Sequence, residues 1–351
     1  MKLGLIGANG KVGTELCFLL KNDVDLKPII RNRLGSVFLK HHGFPCIIAD
    51  ISQKKDAKEY LSDINTVVIS SYATDPFSGS QTQSSQKINE QIIKNSVKFS
   101  DKDATIIYFS TLRAFSHKID PDTSHFWTRP GYDKEKKHLE RVFMAECRKN
   151  KKRGFALRLG HVFGYIQPRT EEFKKIFSKK RVSVSVSSDK KSNVVHVITI
   201  KDAIMRCLDP KMKPNVYSVV NNPQWTWQDI FNYYKKSETV IEYKSLQTST
   251  SNTNSFFWKL LKSNKKHLSP IRYYLPSKFD AEIQKKLTIK KMMQAISSLK
   301  NEEAFYSLGF GYEPIPGPFL RGLNNTKELL KNYNSEQHFP AIVIEEISIL
   351  E

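Results

Sequence analysis

Tyr132-Asp133-Lys134-Glu135-Lys136 places a phenol and an ammonium at positions i and i+4 of a stretch with helical periodicity. Such residues share one face of a helix. A tyrosine has a pKa of about 10 in water and exchanges protons poorly near neutral pH. A neighbouring ammonium stabilises the phenolate and brings the phenol into the working range of a general acid or base. Upstream, an apolar run from Ala104 to Phe109 closes on two hydroxyls, Ser110 and Thr111. A hydroxyl at the carboxyl end of a strand lies where an open parallel sheet binds its ligands. The chemistry open to this set is proton transfer at an oxygen that a hydroxyl holds in place. In a lysine-rich chain the Tyr–Lys spacing alone carries little weight; its neighbours give it meaning.

A second set stands at the start of the chain. Lys2-Leu3-Gly4-Leu5-Ile6 is a short apolar run, Gly7, Gly10 and Gly13 follow in Gly-x-x-Gly-x-x-Gly spacing, and an apolar-periodic segment runs on through Val12, Leu16, Phe18, Leu19 and Leu20. Strand, glycine turn and helix together form the context of a dinucleotide site. A pyrophosphate must approach backbone N–H groups at a helix N-terminus, and a Cβ there would block it.

The elements that must position both sets alternate between strand and helix through the first half, which predicts a parallel α/β sheet. After the glycine turn the pattern predicts strands at Leu26 to Arg31, Cys46 to Ala49 (closed by Asp50) and Thr66 to Ile69 (closed by Ser70 and Ser71). A helix follows from Gln81 to Lys98, then the strand Ala104 to Phe109, a helix from Tyr132 to Lys149 and a strand from Gly154 to Leu159. Later, Arg181 to Val186 and Val194 to Ile198 alternate like strands, Lys201 to Leu208 reads as a helix and Asn215 to Val220 as a strand. Thr226 is placed to cap a helix through Ile230 and Tyr234. Lys244 to Asn254 reads as a polar loop, Phe256 to Leu308 as helical and basic, and Phe319 to Leu330 as a last helix. The expected architecture is a Rossmann-like doubly wound α/β fold. A dinucleotide-binding domain spans 1–165, joined again by segments around 190–235. A smaller, mostly C-terminal substrate region spans 166–335, and a tail 336–351.

Composition sets the class. The chain has 351 residues, 39% hydrophobic and 11% aromatic, enough for a sizeable core. No apolar run reaches membrane-spanning length. With a strand opening the sequence and no room for a signal peptide, a cytoplasmic protein is expected. Cys17, Cys46, Cys147 and Cys207 form no C-x-x-C pair, so neither a zinc site nor a disulfide framework is expected. The net charge of +21 is spread as pairs and triplets, which reads as a general lysine bias rather than a nucleic-acid footprint. The densest basic stretch, with Trp258, Lys259, Lys262, Lys265, Lys266 and Arg272, is compatible with a nucleic-acid patch, an anionic membrane surface or a solvated helix face, and the last is favoured.

Glycine turn, strand-end hydroxyl and Tyr-x-x-x-Lys, in this order, resemble the extended short-chain dehydrogenase/reductases, the family of nucleotide-sugar epimerases, reductases and dehydratases. Gly7-Ala8-Asn9-Gly10-Lys11-Val12-Gly13 is most similar to its dTDP-4-dehydrorhamnose reductase branch. Arg158-Leu159-Gly160-His161-Val162-Phe163-Gly164, and Val194-Val195-His196-Val197 with Asp202-Ala203, resemble later family segments. The resemblance implies Tyr132 as general acid/base and Lys136 as its partner and holder of the nicotinamide ribose. It implies Thr111, or else Ser110, as the hydroxyl on the reacting oxygen, and Asn89 near the active site. It implies a cofactor on Gly7, Asn9, Gly10, Lys11, Val12 and Gly13, on Asp50 and Ile51 beside adenine, and on Ser70, Ser71, Gly160 and His161. Asp50 is also compatible with a helix cap, and Asn89 with a surface position, the functional readings being favoured. A homodimer through the 81–98 and 132–149 helices is implied by the family alone.

Cofactor choice follows from charge. An acid after the second strand would bind the ribose of NAD, whereas this chain has Arg31 and Arg33, which suit the 2′-phosphate of NADP. NADP is expected over NAD. Family dehydratases carry an Asp-Glu pair after the strand-end Thr; here Leu112 and Arg113 follow Thr111, which disfavours dehydration. His161 stands where an asparagine is usual, which puts the usual diphosphate contacts in doubt. The expected function is NAD(P)-dependent oxidoreduction or epimerisation of a sugar, probed against two alternatives: a non-catalytic NAD(P)-binding regulator and a basic nucleic-acid-binding protein.

Overall fold

The computed structural model describes residues 1–74, 82–114, 132–184, 188–243, 303–306, 319–321 and 325–331. Its first part runs β1 (Lys2–Ile6), α1 (Lys11–Leu20), β2 (Asp25–Ile30), α2 (Val37–His41), β3 (Ile47–Ile48), α3 (Lys54–Leu61), β4 (Thr66–Ile69), α4 (Gln83–Phe99), β5 (Thr105–Thr111), α5 (Tyr132–Lys149) and β6 (Arg153–Leu159). Two later strands, β10 (Val216–Val220) and β13 (Phe319–Arg321), complete one eight-stranded sheet of order β13-β10-β6-β5-β4-β1-β2-β3. Each pairing in it is parallel. From β1 the chain winds outwards through β2 and β3 on one side and through β4, β5 and β6 on the other. The order therefore reverses between β1 and β4, and that switch point opens a crevice at their carboxyl ends.

Strand alternation divides the core between two faces. Leu3, Leu5, Val68, Ile107, Phe109, Phe155 and Leu157 pack against Leu16, Leu20, Ile200 and Ile204 of the helices on one side. Ile6, Val67, Ile69, Ile106, Tyr108 and Ala156 pack against Leu61, Ile93, Val97, Leu139 and Phe143 on the other. Burial on both faces is why these strands read as continuous apolar runs. Three cysteines, Cys17, Cys147 and Cys207, are buried thiols in these layers, and all four are free.

The remaining elements form a second body: β7 (His161–Phe163), α6 (Pro168–Phe177), β8 (Arg181–Val184), β9 (Val194–His196), α7 (Val197–Cys207), α8 (Trp227–Tyr234), β11 (Val240–Tyr243), β12 (Glu303–Tyr306) and α9 (Thr326–Lys331). β11, β8 and β12 make a three-stranded sheet and β7 pairs with β9, all in parallel. Their core is a separate aromatic cluster in which Phe173, Phe177, Trp227 and Phe231 stack, the Phe177 and Phe231 rings 5.0 Å apart. Trp225 and Trp227 are buried in it. α7 differs, packing with α1 on the main sheet.

Several boundaries move. The Val194–Ile198 strand ends at His196, whose imidazole accepts the N–H of Ile198 (3.2 Å) and caps a helix that already contains Val197 and Ile198. Burial pushes this histidine down to about 3, so the cap is a neutral ring. The expected final helix is a strand at Phe319–Arg321, drawn out by pairing with β10, and a helix only from Thr326. Glu303–Tyr306, read as helical, is a strand pairing with β8. Thr226 caps α8 as expected, closing a capping box with Asp229, whereas α4 starts at Gln83, two residues later than expected, with Thr82 closing a capping box with Ser85. The basic stretch around Lys259–Lys300 and the Lys244–Asn254 loop lie outside the described residues.

Candidate active site

The glycine turn and the Tyr–Lys pair meet at the carboxyl ends of β1, β4 and β5. Gly7 follows β1 at φ +83°, in the left-handed region, and a Cβ there would lie 2.7 Å from the Ser71 nitrogen. A Cβ on Gly13 would lie 2.3 Å from the Gly7 carbonyl oxygen, whereas one on Gly10 would lie 3.3 Å from the same atom. The turn is closed by the Gly10 N–H donating to the Gly7 carbonyl (3.0 Å). Ser70 Oγ locks it to β4, donating to the carbonyls of Ile6 (2.8 Å) and Gly7 (3.2 Å). Ser71 Oγ is buried and has no hydrogen-bond partner.

Helix α1 begins at Lys11 with no side-chain cap from Gly10 and no acid in its first turn. Its positive N-terminal end is thus left for an anion. Val12 packs into the core behind the turn. Arg31 and Arg33 are exposed directly after β2, and Asn9 reaches over the same turn, its amide nitrogen 2.6 Å from where a Gly35 Cβ would stand. These features fit a dinucleotide: a cradle a Cβ would fill, a helix N-terminus free of acids, and two exposed arginines after β2. Asp50 is partly spent locally, its Oδ1 accepting the N–H (3.0 Å) and hydroxyl (2.7 Å) of Ser52. Ile51 is buried, and its carbonyl accepts from Asn95 of α4 (2.9 Å). Gly160 stands where β6 passes towards β7, and a Cβ there would lie 1.8 Å from the Asn193 carbonyl oxygen. His161, half-buried, opens β7 opposite Val194.

Tyr132 is the first residue of α5 and is half-buried; Lys136, one turn on, is 5% exposed. The Lys136 ammonium donates to the Phe109 carbonyl oxygen (3.0 Å) and lies 3.4 Å from the Tyr108 hydroxyl. It also stands 4.3 Å above the Tyr72 ring and 5.1 Å from the centre of the Tyr108 ring. Each ring offers a cation the negative face of its quadrupole. Tyr132 meets Tyr72 edge to face, with ring centres 5.4 Å apart. Burial pulls Lys136 down to about 7, opposed by the carboxylates of Glu135 and Glu140. The amine is therefore held near its own titration point at neutral pH.

Ser110 is buried on the strand face it shares with Tyr108, and its Oγ has no hydrogen-bond partner. Thr111, the last residue of β5, is half-buried and more open, and the 3-10 turn Leu112–Ala114 after it packs on α5. Asn89 is brought to the site but its amide is occupied. Its oxygen accepts from the Ala73 N–H (2.7 Å), and its nitrogen donates to the Ala73 carbonyl (3.0 Å) and to Glu135 Oε1 (3.1 Å). It is a clamp between α4, α5 and the segment after β4. Sequence reading missed Tyr72, Tyr108 and Glu135. Glu135 sits inside the Tyr-x-x-x-Lys motif, but nothing in the spacing marks it as buried. Among the described residues no cluster could hold a metal ion, and no helix is long and apolar enough to cross a membrane.

No protein-family model matches the chain, and no curated protein matches it in sequence. Solved structures do match in shape. UDP-N-acetylglucosamine 4-epimerase from Bacillus cereus superposes with a TM-score of 0.52 at 15% identity, over 69% of this chain and 85% of that one. L-threonine dehydrogenase from Clostridium difficile gives 0.51 at 17%, over 70% and 84%. The fold shared with them is a Rossmann-like parallel sheet with flanking helices. At this identity the likeness is one of fold, and the two named enzymes already differ in what they act on.

Proposed function

We propose that this protein is an NAD(P)-dependent oxidoreductase or epimerase acting on a sugar, nucleotide-linked as in the epimerase whose fold it shares. The observation that carries the reading is the burial of the Lys136 amine over the Tyr72 ring that Tyr132 also meets, across the switch point from a glycine cradle. A lone buried ammonium is expensive, and proteins retain one where its charge is used.

In this reading Gly7, Gly10 and Gly13 admit the pyrophosphate to the α1 N-terminus, and Arg31 and Arg33 favour NADP over NAD. Bound nicotinamide would supply or accept the hydride. The chain's own residues do the rest: Thr111 orients the substrate oxygen, Tyr132 gives or takes its proton, and Lys136 holds the ribose and stabilises the phenolate. Asn89 acts through the clamp described above. The second body, with its aromatic core, would carry the sugar-binding side of the cleft, and the chain would pair as a homodimer.

The test is titration of the full chain with NADPH and NADH by fluorescence, followed by a scan of nucleotide-sugars for turnover. Expected are tighter binding of NADPH than NADH, a preference reduced about tenfold by Arg31→Ala, and a Tyr132→Phe variant that binds cofactor but turns over about 100-fold or more slowly. Equal turnover by Tyr132→Phe would overturn the mechanism. Absence of binding by either cofactor would overturn the reading.

A further inference from the structure

Glu135 is the unexpected residue of the site. It follows Asp133 and Lys134 on the first turn of α5 and precedes Lys136, yet it is 4% exposed. Its Oε1 accepts from Asn89, a neutral donor, and its Oε2 is buried with no hydrogen-bond partner. Burial raises its pKa, partly offset by Asn89, by Tyr72 and by the charges of Lys136 and His138. A buried carboxyl with one oxygen left bare is costly, and packing alone does not call for it.

The charges that face Lys136 can be taken element by element. From β5 come the neutral Tyr108 hydroxyl and the Phe109 carbonyl; from the segment after β4, the neutral Tyr72 ring. On α5 itself stand Tyr132, Glu135 and Glu140, with His138 further out. Glu140 is already paired, gripped by both ends of the Arg158 guanidinium, with Nε 2.7 Å from Oε2. His138 is directed to Glu90 (2.8 Å). Glu135 alone among these acids has no cation bound to it, and it does not touch Lys136 as an ion pair either; the two act on each other through the low-dielectric interior.

Building on the cofactor reading above, we propose that Glu135 is a positioning residue for Lys136: held by Asn89, its carboxylate is the counter-charge that keeps the buried amine an ammonium at neutral pH. Without it, the paired Glu140 would be the one remaining carboxylate among the described residues to oppose the desolvation of Lys136, beside the Phe109 carbonyl and the two ring faces. The amine would become neutral at lower pH and would neither hold a ribose hydroxyl as a cation nor stabilise a phenolate on Tyr132.

The experiment titrates Lys136 directly, in the full chain without cofactor, by NMR of protein labelled with 13C at the lysine Cε. Exposed lysines titrate near pH 10, so a resonance moving near neutral pH stands apart; its loss in Lys136→Met assigns it. In Glu135→Gln, which keeps an acceptor for Asn89, the midpoint is expected to fall by about one pH unit. An unchanged midpoint overturns the proposal. If Glu135→Gln does not fold, the wild-type curve decides: coupling requires a second, smaller inflection of the Lys136 resonance where Glu135 titrates, and a single-step curve overturns the proposal. NADPH affinity measured across the same pH range separates the two readings. If affinity falls with Lys136 deprotonation, and about tenfold further in Glu135→Gln than in wild type one unit above the wild-type midpoint, both hold. A shifted midpoint with unchanged affinity leaves Glu135 as the counter-charge but removes Lys136 from the cofactor site.

Discussion

The glycine turn after β1 and the aromatic box around Lys136 stand at the same edge of one sheet, and they are made in opposite ways. The turn is a shape left by missing atoms. Gly7 and Gly13 let backbone touch backbone, and the N-terminus of α1 offers N–H groups without any acidic side chain in its first turn. The box is a charge enclosed by side chains: one ammonium, two tyrosine rings, one carbonyl and, beyond them, the clamped Glu135. In the turn the fold and the proposed binding surface are the same object, so stability and binding are expected to be lost together. In the box they conflict, because the charge that would serve chemistry weakens the fold.

The largest effect is expected in the turn. Gly13→Ala forces a methyl against the Gly7 carbonyl, where only backbone can give way; destabilisation of about 3 kcal/mol is expected, together with loss of NADPH binding. Denaturant unfolding with a parallel NADPH titration checks both. Lys136→Met is expected to do the reverse, stabilising the fold by about 2 kcal/mol at pH 7 while weakening cofactor binding. The pH dependence has a definite sign. The folded pKa is about 7 and the unfolded one about 10.4, so the lysine's penalty is full below pH 7 and fades as pH rises towards 10. The stabilisation by Lys136→Met should shrink accordingly between unfolding curves at pH 7 and pH 10; a constant difference would show that the amine is not buried as a charge. The smallest effect is expected at Gly10, where Ala needs a shift of only a few tenths of an ångström, and stability should change by about 0.5 kcal/mol or less. A large loss there would mean that the turn tolerates no Cβ anywhere, and the distinction between its glycines would fall.

The legible parts of the molecule were those with a local cause. The strand at Thr66–Ile69 and the helix at Tyr132–Lys149 have the boundaries read from periodicity, and Thr226 caps its helix through a residue three positions on. Elements that pairing decides were misread: Phe319–Arg321 is a strand because β10 offers an edge, and Val197–Ile198 is helical because His196 caps it. The short α2, α3 and α6 went unmarked, since their apolar faces are only a few residues long.

Within the candidate site the division has the same origin. The sequence by itself determined the order of strands and helices, the glycine spacing, the strand-end hydroxyls and the shared face of Tyr132 and Lys136, because each depends on residues close together in the chain. Tertiary structure alone decided that Tyr72 and Tyr108 would enclose the Lys136 amine, that Asn89 would spend its amide on Ala73 and Glu135, and that Arg158 would neutralise Glu140 while leaving Glu135 without a bound cation. Those contacts join segments far apart in sequence, and burial, which sets the charge state of every group among them, exists only once the segments have packed.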